Sequence, residues 1–73
     1  MNRNECLKKI RKILEENDFE FIRRNKHEIW KHKVHGIKIV FGTSPKHPQK
    51  QLKIIEWKME YLKKHDFQYK ASN

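Results

Sequence analysis

Seventy-three residues make one domain and leave no room for a second core. Apolar residues form 36% of the chain and charged residues 37%, enough for one layer of helices on one small sheet. Eighteen Lys and Arg against nine Asp and Glu give a formal net charge of +9, a field that attracts polyanions: nucleic acid first, then an anionic membrane surface or an acidic protein. The single cysteine, Cys6, cannot close an internal disulfide, so no oxidising compartment is implied. Residues 1–5 lack the apolar core of a signal peptide, and no run approaches the roughly 18 apolar residues of a membrane span. The expectation is a soluble, cytoplasmic protein with no membrane contact.

From Asn4 to Glu16, apolar residues at Cys6, Leu7, Ile10, Ile13 and Leu14 mark one face of a helix. Asn4 is placed to cap its start, and Asn17-Asp18 to stop it, since either tolerates a left-handed backbone. Phe19 to Arg23 alternates apolar and polar residues, as a strand does. Arg24-Asn25-Lys26 reads as a tight connection to a second strand, His27 to His32. A turn at 33–36 leads to a third strand, 37–41, with Ile37, Ile39 and Phe41 on one face. The short links imply an antiparallel meander. After a loop from Gly42 to Pro48, helical spacing returns from Gln49 to Lys64, with a stripe of Leu52, Ile55, Met59 and Leu62 that Ile54, Trp57 and Tyr61 widen. Pro48 suits the first turn, where a missing N–H costs nothing. The fold class is α+β in the order α-β-β-β-α: a three-stranded antiparallel sheet with two helices on one face, as in double-stranded-RNA-binding domains. Residues 1–66 are read as the single domain, and 67–73, which show no pattern, as a tail that frays.

His27 opens the second strand directly after Arg23-Arg24-Asn25-Lys26. An imidazole titrates near neutral pH and can take and return a proton, while neighbouring cations stabilise a phosphate under attack. RNA supplies its own nucleophile, the 2′-hydroxyl. The plain alternative is a surface histidine among solvated cations. Lys46, Lys50 and Lys53 surround the start of the last helix, whose N-terminus favours phosphate, although any one of them could be an ordinary solvated lysine. The two faces of the second strand pose a choice. If Trp30 turns inward, His27, Ile29 and Lys31 share the open face; if Ile29 does, Trp30 and His32 are open. The first option exposes His27 and is preferred. Trp30 and Trp57 are also candidates for stacking on unpaired bases, but Trp57, on the apolar stripe, is expected at the edge of the core. His32 and His35 lack partners at zinc-ligand spacing, and Gly36 and Gly42 form no nucleotide-binding loop, so no cofactor is expected.

Asn25-Lys26-His27-Glu28-Ile29-Trp30, following Phe19 to Arg23, resembles the HicA family of toxin ribonucleases. Its motif is Gly-Ser-His or a close variant, followed two residues later by an aromatic residue at strand 2. The resemblance continues through His32, Gly36, the strand 37–41 and His47-Pro48, spanning roughly residues 4–64. Asn25 and Lys26 stand where the family usually has Gly and a small residue, and the turn 32–36 lacks the usual Pro-Asp-Gly type of sequence. The resemblance implies a double-stranded-RNA-binding-like fold and metal-independent cleavage of messenger RNA, with His27 as the catalytic acid/base. It also implies a HicB antitoxin as inhibitory partner. On this reading Arg23, Arg24, Lys26 and Lys31 bind the phosphate near His27, and Lys46, Lys50 and Lys53 bind flanking backbone. His35 and His47 are candidates for a second acid/base. The alternatives are a non-catalytic RNA-binding module of the same fold and an adaptor for an acidic protein.

Overall fold

The computed structural model describes residues 2–67. The first helix, α1, spans Arg3–Glu16 and is capped by Asn2, whose side-chain oxygen accepts the Glu5 N–H at 2.9 Å. Asn4, the cap expected from sequence, lies inside the helix. The earlier start lets the Cys6 N–H reach the Asn2 carbonyl (3.1 Å), so the first apolar residue already sits in a closed turn. Asn17 ends α1 and donates its amide to the Ile13 carbonyl at 2.7 Å. Asp18 then takes the left-handed conformation, φ 65°, as the sequence anticipates.

Three antiparallel strands follow in the order β1 (Phe19–Arg24), β2 (His27–His32) and β3 (Lys38–Gly42). The second helix, α2, runs Pro48–Leu62 with proline in its first turn and gives way to a π-helical turn, Lys63–Phe67. The tail expected to fray lies outside the described residues, apart from the backbone of Phe67. Both helices cover one face of the sheet. Cys6, Leu7, Ile10 and Leu14 of α1 meet Leu52, Ile55, Met59 and Leu62 of α2 over Phe19, Trp30, Ile39 and Phe41. Ile13 and Ile37 pack against the rim of this core.

Trp30 does turn inward, 4% exposed. Strand alternation then carries Glu28 and His32 under the helices as well, and both are buried. The two remaining expectations for α2 do not hold. Ile54 and Tyr61 are about half exposed and Trp57 is 68% exposed, so none of them widens the core. At 100° per residue these three lie on the side of the helix opposite the buried stripe, and one sheet face cannot reach both sides. Among the described residues, no helix is long and apolar enough to cross a membrane.

Candidate functional site

A bulge in β1 decides which cations reach His27. Phe21 pairs with Trp30, but the next pair is Arg23 with Ile29, so Ile22 is an extra residue in the ladder. Without it, strict alternation would put Arg23 on the covered face with Phe19 and Phe21. With it, Arg23 shares the open face with Ile29 and His27, and Arg24 comes opposite Glu28 on the inner face. The two adjacent arginines therefore serve opposite sides. Arg23, Asn25, Lys26, His27, Ile29 and Val40 line an open depression of about 470 Å³. Arg24 Nη1 instead lies 4.0 Å from the Glu28 carboxylate and is not part of that depression.

His27 is exposed and pairs with Gly42 across the β2–β3 ladder. A side chain at Gly42 would start 3.8 Å from the imidazole, so the missing Cβ leaves that flank of the ring open. Two latches hold the surroundings in place. Thr43 donates both its N–H (3.2 Å) and its hydroxyl (3.0 Å) to the Lys26 carbonyl. Gln51 clasps Gly42, accepting its N–H and donating to its carbonyl, each at 3.1 Å. The first ties the turn before His27 to the exit of β3, and the second ties that exit to the first turn of α2. The Arg24–His27 turn closes through the Asn25 N–H on the His27 carbonyl (3.0 Å). Asn25 does not use a left-handed backbone there; among the described residues only Asp18 and Gly36 have positive φ.

Lys46, His47 and Lys50 line a second depression, also about 470 Å³, around the start of α2. A third groove, lined by Val40, His47, Lys50 and Ile54 among others, joins it to the sheet. Val40 belongs to this groove and to the depression at His27, so the two basic regions are continuous. Besides Arg24, two expected residues stand apart. Lys31 shares the open face, but it is four strand residues from His27, roughly 13 Å, and its side chain lies over the turn at Gly36. Lys53 sits on the exposed side of α2, one turn before Trp57. Of the two candidate second histidines, His47 borders the shared groove, whereas His35 stacks on His32 at the far end of β2, with ring centroids 4.7 Å apart.

Behind the open face lies a cluster that residue spacing does not reveal. Glu28, 1% exposed, accepts hydrogen bonds from Nε and Nη2 of Arg11 in α1 and another, 3.0 Å, from the Trp30 indole. Burial pushes the Glu28 carboxyl up. The Arg11 and Trp30 hydrogen bonds, with the charges of Arg11 and Arg24, outweigh it and leave the group below its usual value. The Glu28 contact raises the Arg11 guanidinium in turn. The carboxylate is thus fixed as an anion that anchors α1 to β2, the strand that carries His27. The signal for Glu28 was the alternation around Trp30; its partner, 17 residues away, has no local signature. Compared with protein-family models, curated proteins and solved structures, the chain finds no match.

Proposed function

We propose that this chain is an endoribonuclease of the HicA type that cuts messenger RNA within a toxin–antitoxin pair and is held inactive by a HicB-like protein. The observation that carries the reading is an exposed imidazole at His27, flanked by Arg23 and Lys26 in one open depression and continuous with the basic groove at Lys50. RNA backbone lying in that path would meet cations on both sides of His27. There His27 takes the proton of a 2′-hydroxyl as its oxygen attacks the adjacent phosphorus. The new P–O bond forms as the bond to the 5′-oxygen breaks, leaving a cyclic phosphate and a 5′-hydroxyl that regains a proton. Arg23 and Lys26 neutralise the charge gathered on the phosphate. Arg24 contributes through Glu28 instead of through RNA, and Lys31 and Lys53 contact more distant backbone.

One observation favours a second reading, an RNA-binding module that does not cut. Lys26, where the family has a small residue, is exposed and lines the same depression as His27. A cation there can clamp a phosphate in place of chemistry. Cleavage of a long single-stranded RNA in EDTA separates the two. The parent cuts, and His27→Ala loses roughly 10²–10⁴-fold while still binding RNA. If neither protein cuts and both bind, the non-catalytic module is the correct reading.

A further inference from the structure

The fold leaves an aromatic strip of α2 uncovered. Trp57 is 68% exposed, with Ile54 and Tyr61 about half exposed beside it. Packing does not require it, because the other side of the same helix supplies the buried stripe. The exposed rings are nevertheless ordered. Trp57 and Tyr61 have centroids 5.9 Å apart with planes 30° apart, and Tyr61 and His65 follow at 4.3 Å and 32°. Spaced four residues apart, the three form one line along the helix with their faces turned roughly the same way.

The two flanks of this line differ in charge. Toward α1, Trp57 borders a groove in which three carboxylates, Glu16, Glu56 and Glu60, outnumber one cation, Lys63. Toward β3, Ile54 and Lys50 line the groove that reaches Val40, and through it the depression at His27. The ladder is therefore an extension of the basic path, with Tyr61 roughly 16 Å along the helix from Lys50.

We propose that Trp57 and Tyr61 form a stacking platform for unpaired RNA, carrying the strand onward from the His27 depression. This rests on the reading that the chain binds RNA, and it adds that the substrate is single-stranded beside the site. An unpaired strand offers phosphates to Lys50 and bare base faces to the rings. A duplex keeps its base faces stacked inside. An acidic peptide satisfies the lysines but leaves the rings unmatched and meets repulsion on the Glu56–Glu60 flank.

The test uses an oligouridylate of about 12 nucleotides, within the roughly 4–16-nucleotide range of single-strand sites. Its 2′-O-methyl groups remove the nucleophile, so it binds without being cut. Of the two tryptophans, Trp30 is buried, so fluorescence changes report Trp57. Oligouridylate is expected to quench that fluorescence; by anisotropy of the labelled oligonucleotide, Trp57→Ala or Tyr61→Ala should weaken binding about fivefold or more, with Trp57→Phe largely restoring it. Duplex RNA of the same length and polyglutamate are expected to bind without quenching and to ignore both substitutions. If oligouridylate binds parent and Trp57→Ala alike, the platform is wrong while RNA binding stands. If polyglutamate quenches Trp57 as strongly, the face is a protein-docking surface and the platform is again wrong. If the parent binds no RNA of either kind, the RNA reading falls and the platform with it.

Discussion

Arg11→Met isolates the energetics of the buried Glu28 cluster. Methionine keeps most of the aliphatic stem that packs along α1, so the change removes chiefly the guanidinium. Glu28 is then left 1% exposed with one indole N–H and Arg24 at 4.0 Å. Removing one partner of a buried pair costs roughly 3–5 kcal/mol. The Arg11 side chain is 32% exposed, so water reaches part of the site and the lower end applies, about 3 kcal/mol. For a domain of this size that is a fall of roughly 12–24 °C in Tm. The pH dependence gives the sharper test. In the parent the folded carboxyl titrates below its unfolded value, so its contribution is full above that value and is lost as pH falls through the folded pKa. In Arg11→Met the buried carboxyl, without the guanidinium that offset its burial, should titrate above its unfolded value, so acid relieves the variant. Urea unfolding followed by circular dichroism should show the gap between the two proteins shrinking from pH 7 to pH 4. A gap under about 1 kcal/mol at pH 7, or one that does not change with pH, refutes the assignment of Glu28 as an anion anchored by Arg11.

Two further substitutions probe other parts of the molecule. His32 is 5% exposed, and its Nδ1 accepts the Val34 and His35 N–H groups, which needs an unprotonated nitrogen. Burial, helped by the charge of His35, lowers its pKa, against smaller opposing effects of Asp18 and a backbone hydrogen bond to Asn17. The unfolded chain therefore binds the proton first, and stability falls as pH drops below about 6.5 toward the folded pKa. His32→Asn, which keeps an acceptor but does not titrate, should flatten that slope in unfolding curves whatever its overall stability. Gly42→Val should fold, since a Cβ there meets only ordinary contacts at 3.8 Å, yet its methyls cover one side of the His27 ring. Cleavage should fall at least about tenfold relative to Gly42→Ala. Equal activity would mean that RNA approaches His27 from elsewhere.

Much of the fold was legible because local rules agreed with the tertiary outcome. The bounds of β2, the proline at the start of α2 and its four-residue stripe all follow from spacing and turn chemistry. Choosing Trp30 as inward already implied that Glu28 and His32 were buried with it. What could not be read was non-local. Arg11 has no sequence signal tying it to Glu28, and Ile22 carries no glycine or proline to mark a bulge. That bulge alone decides that Arg23 belongs with His27 and Arg24 does not. Trp57 misled for a different reason. An apolar residue at helical spacing reads as core, but the width of the sheet, a property of the assembled fold, limits how much of α2 can be covered.

The bulge has a further consequence at the rim of the sheet. Among the described residues β1 is an outer strand, and its far side carries N–H and C=O groups with no neighbouring strand of the sheet. A regular six-residue edge, with every second residue presenting its N–H and C=O outward, would be a template onto which another extended chain could add. The extra residue at Ile22 breaks the regular spacing of those groups midway, and two arginines follow immediately. Any strand approaching that edge would lose register after about three residues and meet concentrated positive charge. The irregularity that aims Arg23 toward His27 thus also guards a highly charged small protein against edge-to-edge aggregation.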